Sequence, residues 1–249
     1  MNYYTSDFHF GSAILLDRTV VGDKARKFQT LDEMHAAILA AASRAKKGDT
    51  IYHLGDLACV GIDRQYHGLK SRKEIIDIVD SLPCNKIFLE GNHDKSNCGF
   101  SSGKLLMAKV GKYNVAMQHM PSDVEDYIDV GQNINICGHV HTWWKVMYDH
   151  TRNVININVG LDRNHFKMYS EAELISLIDL AVEYAQHVNK TFDYSLSYDK
   201  WLKGRHAKKA AQSQAARLRS VTWKLANKPD LVTADEKRFL ARMAKEHKI

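Results

Sequence analysis

Short apolar runs alternate with longer amphipathic stretches over most of the chain. Residues 1–6, 50–54, 86–90, 113–118, 134–137 and 154–159 are rich in aliphatic and aromatic side chains and read as strands. The longer gaps carry helical periodicity. Thr30 is placed to cap a helix with Asp32 and Glu33 in its first turn, Leu31, Met34, Ile38 and Leu39 on one face, and Gly48 as its stop. Residues 69–82 repeat the pattern through Ile75, Ile76, Ile78, Val79 and Leu82, and Pro83 ends it. Strand and helix in alternation predict an α/β domain. Past residue 159, Ser170-Glu171-Ala172-Glu173 forms a capping box ahead of Leu174, Ile175, Leu177, Ile178, Ala181 and Val182, a helix able to close that domain. A boundary near residue 185 separates a domain, 1–185, from an extension, 186–249. The extension reads as mostly helical: Ala-, Lys- and Arg-rich from 207 to 226, turning at Asn227-Lys228-Pro229-Asp230, and restarting at a second capping box, Thr233 to Glu236.

Composition narrows the class. Of 249 residues, 45% are hydrophobic, enough for a core, yet no apolar run approaches the ~20 residues of a membrane span, so a soluble protein without a membrane partner is expected. The chain enters its first strand at once, leaving no room for a leader. Cys59, Cys84, Cys98 and Cys137 lack C-x-x-C spacing and lie in or beside apolar segments, which predicts buried thiols and a cytoplasmic location. The net charge of +6 is unevenly spread. Residues 200–249 hold fourteen Lys or Arg against four acids, whereas the rest of the chain holds twenty-one against twenty-five.

The chemistry sits just after the strands. Asp7-Phe8-His9, Gly55-Asp56, Gly91-Asn92-His93-Asp94, Gln118-His119 and Gly138-His139-Val140-His141 each end an apolar run. In an α/β sheet, loops at the carboxyl ends of strands converge on one edge, so these blocks can form one cluster. Asp7 and His9 can grip one cation from the same side. Gly55 lets the chain turn so that Asp56 can bridge two cations roughly 3.5–4 Å apart, the spacing at which both reach one phosphate. Asn92 adds a carbonyl oxygen, and His119, His139 and His141 add imidazoles. This mixture favours Mn²⁺, Fe or Zn²⁺ over Ca²⁺ or Mg²⁺. His93, pointing away from Asn92, is free to donate to a phosphate oxygen or to protonate a leaving alkoxide. Singly, each block has a bland explanation as a turn or a packed side chain. Their conjunction at five strand ends does not, because buried imidazoles and carboxylates are costly without partners.

The five blocks, in this order, resemble the calcineurin-like metallophosphoesterase superfamily, in its compact single-domain bacterial and phage-type form. The resemblance covers residues 1 to about 180. It implies a four-layer αββα sandwich of two mixed sheets with flanking helices, the C-terminal helical extension lying outside it. It also implies a metallophosphoesterase, a phosphatase or phosphodiesterase that uses two divalent metal ions and metal-activated water. One ion would be held by Asp7, His9, Asp56 and His141, the other by Asp56, Asn92, His119 and His139, with His93 catalytic. The chain departs from the protein phosphatases, whose Gly-Asp is followed by an acid and an arginine; here Leu57-Ala58-Cys59 follows, and Asp63 and Arg64 come later.

Substrate choice falls to less patterned residues. Trp143 and Trp144 could stack on a nucleobase or pack as rim, and Arg64, Arg152, Arg163, Asn164 and His165 are further candidates for substrate contact. Lys203, Arg205, Lys208, Lys209, Arg217, Arg219 and Lys224 could face a phosphate backbone or only solvent. The leading expectation is a phosphoesterase acting on a nucleotide or nucleic-acid-type substrate. The alternatives are a nuclease that holds a strand with its basic extension, and a non-catalytic binding module on the same fold.

Overall fold

In a computed structural model describing residues 1–22, 25–58, 72–94 and 101–247, the apolar runs pair into two mixed sheets. The chain passes through β1 (Asn2–Thr5), a one-turn helix α1 (Arg18–Val21), α2 (Leu31–Ala42), β2 (Thr50–Leu54), α3 (Arg72–Ser81) and β3 (Asn85–Leu89). It continues through β4 (Leu105–Val110), β5 (Tyr113–Gln118), β6 (Ile134–Cys137), β7 (Val146–Asp149), β8 (Val154–Asn158) and β9 (Tyr169–Ser170). Three helices follow: α4 (Glu171–Thr191), α5 (Tyr198–Asn227) and α6 (Ala234–His247).

The first sheet has the order β3-β2-β1-β9 and the second β4-β5-β6-β8-β7. β1, β2 and β3 run parallel and in step, Thr5 opposite His53 and His53 opposite Phe88, so their carboxyl ends open on one edge. β5, β6 and β8 are likewise parallel, with β4 and β7 antiparallel at the two edges. A lone parallel bridge from Ser6 to Gly160 ties the end of β1 to the residue after β8. That bridge brings the two polar edges together. The result is the α/β sandwich of two mixed sheets with flanking helices that the motifs imply.

Packing follows the periodicity. Met34, Ile38, Ala41 and Ala42 of α2 and Ile75 and Val79 of α3 are buried with Tyr3, Ile51 and Phe88 of the first sheet in one cluster. Val115, Met117, Ile136 and Ile157 fill the second sheet's interior. α4 buries Leu174, Leu177, Ile178, Ala181, Tyr184, Ala185 and Val188, and lies along β8 and β4 as well as β1 and β9. Its start is fixed by a reciprocal capping box: Ser170 N donates to Glu173 Oε2 at 2.7 Å, and Glu173 N to Ser170 Oγ at 3.4 Å.

Several boundaries differ from the sequence reading. β4 and β7 carry little alternation because they are half-buried edge strands, and β9 is two residues long. α2 ends at Ala42, well before Gly48, where i→i+3 bonds from Arg44 to Ala41 and from Ala45 to Ala42 tighten and close it. Residues 69–71 of the expected second helix lie outside the described residues. Residues 185 and 186 fall inside α4. The contact pattern divides the chain into two units, Met1–Tyr198 and Asp199–Ile249. Within the second, Val221, Val232, Phe239 and Met243 form a small core with Leu218 and Leu240, α6 begins at the capping box of Thr233 and Glu236, and ion pairs join Lys224 to Glu236 (2.6 Å) and Arg217 to Asp235 (2.7 Å).

Cys84 and Cys137 are buried free thiols, while Cys59 and Cys98 lie outside the described residues. Among the described residues, no helix is long and apolar enough to cross a membrane. The capping box gives a direct test of the fold. Ser170→Ala should lower unfolding free energy by about 1 kcal/mol in urea titration, with an unchanged slope; an unaltered midpoint would mean that packing alone sets the start of α4.

Candidate metal centre

The loops that follow the strands are laced together by backbone bonds. Asp7 N donates to Gly55 O (3.1 Å), His9 N to Asp56 O (2.9 Å) and Phe10 N to Leu57 O (2.9 Å), so the chain after β1 runs beside the chain after β2. Within the second sheet, Gly138 N donates to His119 O and Val159 N to Cys137 O, and across the sheets Leu161 N donates to Ser6 O. The backbone N–H of His139 reaches both oxygens of Asp7, at 3.1 and 3.2 Å. Two glycines permit this closeness. Gly55 has φ +93°, and a Cβ there would lie 2.6 Å from His119 Nδ1; at Gly91 a Cβ would lie 2.2 Å from Asp56 Oδ1. Asp94 then clasps two loops, accepting N–H bonds from Asp56 (2.6 Å), Leu57 (2.8 Å) and Gly91 (2.8 Å).

Six of the seven expected metal-binding residues meet at short range. Asp56 Oδ2 is 3.1 Å from His119 Nε2 and 3.5 Å from His9 Nε2, and His9 Nε2 is 3.8 Å from Asp7 Oδ1. Asn92 Oδ1 faces His119 Nε2 at 3.1 Å and His139 Nδ1 at 3.0 Å. The seventh, His141, has its ring stacked on that of His9, with centroids 5.1 Å apart. Donor atoms of Asp7, His9 and His141 lie within 4.8 Å of one another, as do those of Asp7, Asp56 and His119. Asp7 is common to both groups, and Asp56 lies between His9 of one and His119 of the other. The backbone is strained where these side chains hang: φ is +60° at Asp7, +51° at His9, +57° at Asp56, +71° at His139 and +47° at His141.

Electrostatics mark the same spot. Burial pushes the carboxyl pKa of Asp56 up, but the charges of His119 and His9 and a hydrogen bond to His119 outweigh it and hold the group well below the usual carboxylate range. Asp7 is likewise lowered, burial being overcome by its hydrogen bond to His9 and the charges of His141 and His119. Burial disfavours the charged form of His119, yet Asp56 and Asp7 raise it to about 9. This pocket therefore calls for positive charge.

Tautomers fit the same demand. His119 Nδ1 sits 2.8 Å from Leu54 O and must donate to it, and His141 Nδ1 sits 2.8 Å from the carboxylate of Asp162. In each neutral ring the lone pair is thereby left on Nε2, the nitrogen a metal would use. Two carboxylates, an amide oxygen and imidazoles so oriented are a donor set that suits divalent cations of the Mn²⁺, Fe or Zn²⁺ kind.

The remaining candidates separate from this cluster. His93 is exposed, its ring centroid 5.2 Å from that of His9, and its backbone N–H donates to Asp56 Oδ1 at 2.8 Å. Next to Asn92 and His119 opens a cleft of about 290 Å³ that also meets Glu90, Lys104, Gln118, Met120, Asp126 and Ile128. Trp143, Trp144 and Arg163 do not line it; Trp143 is 66% exposed, Trp144 half-buried, and Arg163 sits on the turn Leu161–Asn164. Arg64 lies outside the described residues. Two residues escaped the sequence reading. Asp162 bonds His141, and the buried Arg26 pairs with Asp162 at 2.8 Å. A clue to Asp162 was available, since it too follows a strand end; Arg26 carried no such signal.

The fold and this cluster together define a metal-dependent phosphoester hydrolase class. The chain belongs to the calcineurin-like phosphoesterase family, whose sequence pattern matches residues 3–232. The match extends beyond residue 180, the bound of the resemblance read from the motifs, and through α5. Among solved structures, the chain resembles a protein of unknown function from Aquifex aeolicus, at 22% identity and TM-score 0.51, covering 71% of this chain and 98% of that one. Weaker likenesses are to YfcE, a phosphoesterase from E. coli (14% identity, TM-score 0.34, covering 64% and 78%), and to Vps29 of Chaetomium thermophilum (12%, 0.33, covering 64% and 70%). No curated protein matches the chain.

The charge arrangement predicts how metal-free protein responds to pH. His119, raised from 6.5 to about 9, contributes stability that is complete below about pH 6.5 and lost as pH rises through about 9. Asp162, lowered from 3.8 to about 2, contributes stability present above about pH 3.8 and lost as pH falls through about 2. Melting temperature of the chelator-treated protein, followed by circular dichroism, should fall at both ends. A flat profile between about pH 6.5 and 9 would contradict the pairing of His119 with the two carboxylates.

Proposed function

We propose that this protein hydrolyses phosphomono- or phosphodiester bonds at a dinuclear metal site, using metal-activated water, on nucleotide or nucleic-acid-type substrates. The observation that carries the reading is Asp56 set between two imidazoles, its Oδ2 3.5 Å from His9 Nε2 on one side and 3.1 Å from His119 Nε2 on the other. Asp7, His9, Asp56 and His141 would hold one ion, and Asp56, Asn92, His119 and His139 the second; Mn²⁺ is the first choice, Fe or Zn²⁺ the next. When bound, such a pair supplies Lewis acidity, lowering the pKa of water and polarising a phosphoryl oxygen. His93, exposed beside His9, protonates the leaving oxygen. Asp94 keeps that histidine in reach by fastening the loop that bears it to the one that bears Asp56.

The cleft beside Asn92 and His119 supports a nucleotide-type substrate, since Met120 and Ile128 offer an apolar side for a base and Glu90 and Asp126 offer acceptors for sugar hydroxyls. Trp143, exposed two residues after His141, and Arg163 remain candidates for contact with a longer substrate. The buried free thiols of Cys84 and Cys137 support a cytoplasmic location. A second reading, nuclease action, is favoured by the basic helical unit, where Arg217, Arg238 and Arg242 gather around Phe239 and Asp235 at a cleft of about 290 Å³ that an anion could enter.

With Mn²⁺ present, the protein should turn over p-nitrophenyl phosphate, bis(p-nitrophenyl) phosphate or both. His93→Ala should lose about 10²–10⁴-fold in turnover on poorly activated substrates while keeping its metal content. Asp56→Asn should lose metal by elemental analysis. Silence of the metal-loaded protein on both esters would favour a binding module instead. For the nuclease reading, salt-sensitive retention of single- or double-stranded DNA or RNA that survives Arg217→Ala/Arg238→Ala/Arg242→Ala unchanged would remove these arginines from it.

A further inference from the structure

We propose that Asp162 and Arg26 are positioning residues that lock His141 in its Nδ1–H tautomer and so present its Nε2 lone pair to the metal site. The inference rests on the reading of His141 as a metal ligand, and it adds what makes that histidine competent.

Asp162 stands on the turn Leu161–Asn164 just after β8, with its Oδ2 2.8 Å from His141 Nδ1. The same carboxylate is gripped by both prongs of a guanidinium: Arg26 Nε donates to Oδ1 at 2.8 Å and Arg26 Nη2 to Oδ2 at 3.0 Å. The side chains of both are almost wholly buried, 1% exposed for Arg26 and 4% for Asp162. Arg26 does more than neutralise. Its Nη1 donates to Phe8 O at 2.8 Å and its Nη2 to Asp7 O, so one guanidinium holds the backbone from which Asp7 and His9 project. One ion pair therefore sets members of the donor group from two sheets: Asp7 and His9 after β1, and His141 after β6.

The chemistry is directional. An ionised carboxylate can only accept, so Nδ1 of His141 must donate and the lone pair must stay on Nε2. An amide in its place offers a donor as readily as an acceptor, and the lock is gone. Arg26 keeps Asp162 ionised and aimed; without its fork the carboxylate would be a buried charge free to reorient.

The test reads the imidazole directly. In the metal-free protein, at a pH where the His141 ring is neutral, ¹⁵N chemical shifts of His141 should report Nδ1–H with an unprotonated Nε2, and in Asp162→Asn they should move to the other tautomer or to a mixture. Zn²⁺ titration should give two binding classes in the wild type. Asp162→Asn should weaken one of them by roughly 10–100-fold and spare the other. A variant that melts lower but keeps both the wild-type shifts and both Zn²⁺ affinities would reduce Asp162 to a structural pin and overturn the proposal. Should Asp162→Asn not fold, Arg26→Lys carries the test: the Nδ1–H tautomer retained, one Zn²⁺ class weakened about tenfold, with unchanged affinities counting against it. If the wild-type His141 nitrogens do not move on saturation with Zn²⁺, the ligand reading itself fails, separately from the tautomer comparison.

Discussion

Two carboxylates, Asp7 and Asp56, are held almost without exposure at the meeting of two sheet edges, and much of the domain is arranged around that burden. Isolated buried anions are prohibitively expensive, so the surroundings must offer positive charge, donors or both. Here they do so in layers. Backbone N–H groups of His139 and His93 reach the carboxylate oxygens, imidazoles of His9 and His119 stand within 4 Å, and the demand for charge at the centre is passed to whatever cation can enter.

A buried guanidinium is set one step away. Arg26 satisfies Asp162 and two backbone carbonyls rather than Asp7 or Asp56 themselves. Had a guanidinium sat directly on the central carboxylates, it would have filled the place of a metal. Its displacement behind the backbone of Asp7 and Phe8 stiffens the cluster while leaving the inner oxygens to other partners.

Much of this was legible in the chain. The five blocks could be read because the rule that links them is local: polar residues just past an apolar run, with a glycine where the backbone must turn or be approached. Gly55 and Gly91 met that rule, and Asp7, His9, Asp56, Asn92, His119, His139 and His141 gathered as it suggests. What escaped depended on partners remote in sequence. Arg26 lies 136 residues from Asp162, and although Asp162 follows a strand end, no pattern near Arg26 betrays the pair. The edge strands β4 and β7 escaped for another reason, since half-buried edges blur the alternation by which strands are recognised. α2 ends ahead of Gly48 because that glycine shapes the turn into β2 and not the helix stop.

The left-handed backbone at Asp7, His9, Asp56, His139 and His141 carries a longer consequence. Each such residue costs on the order of 1 kcal/mol that glycine would not. The main chain thus favours, at these five positions, residues other than those the proposed metal chemistry requires. Within a lineage, selection for cations and selection for folding pull in opposite directions at the same codons. A descendant released from the first pressure would drift toward glycine or asparagine there and become sturdier as it fell silent, leaving the shape of the site as the last trace of its ancestry.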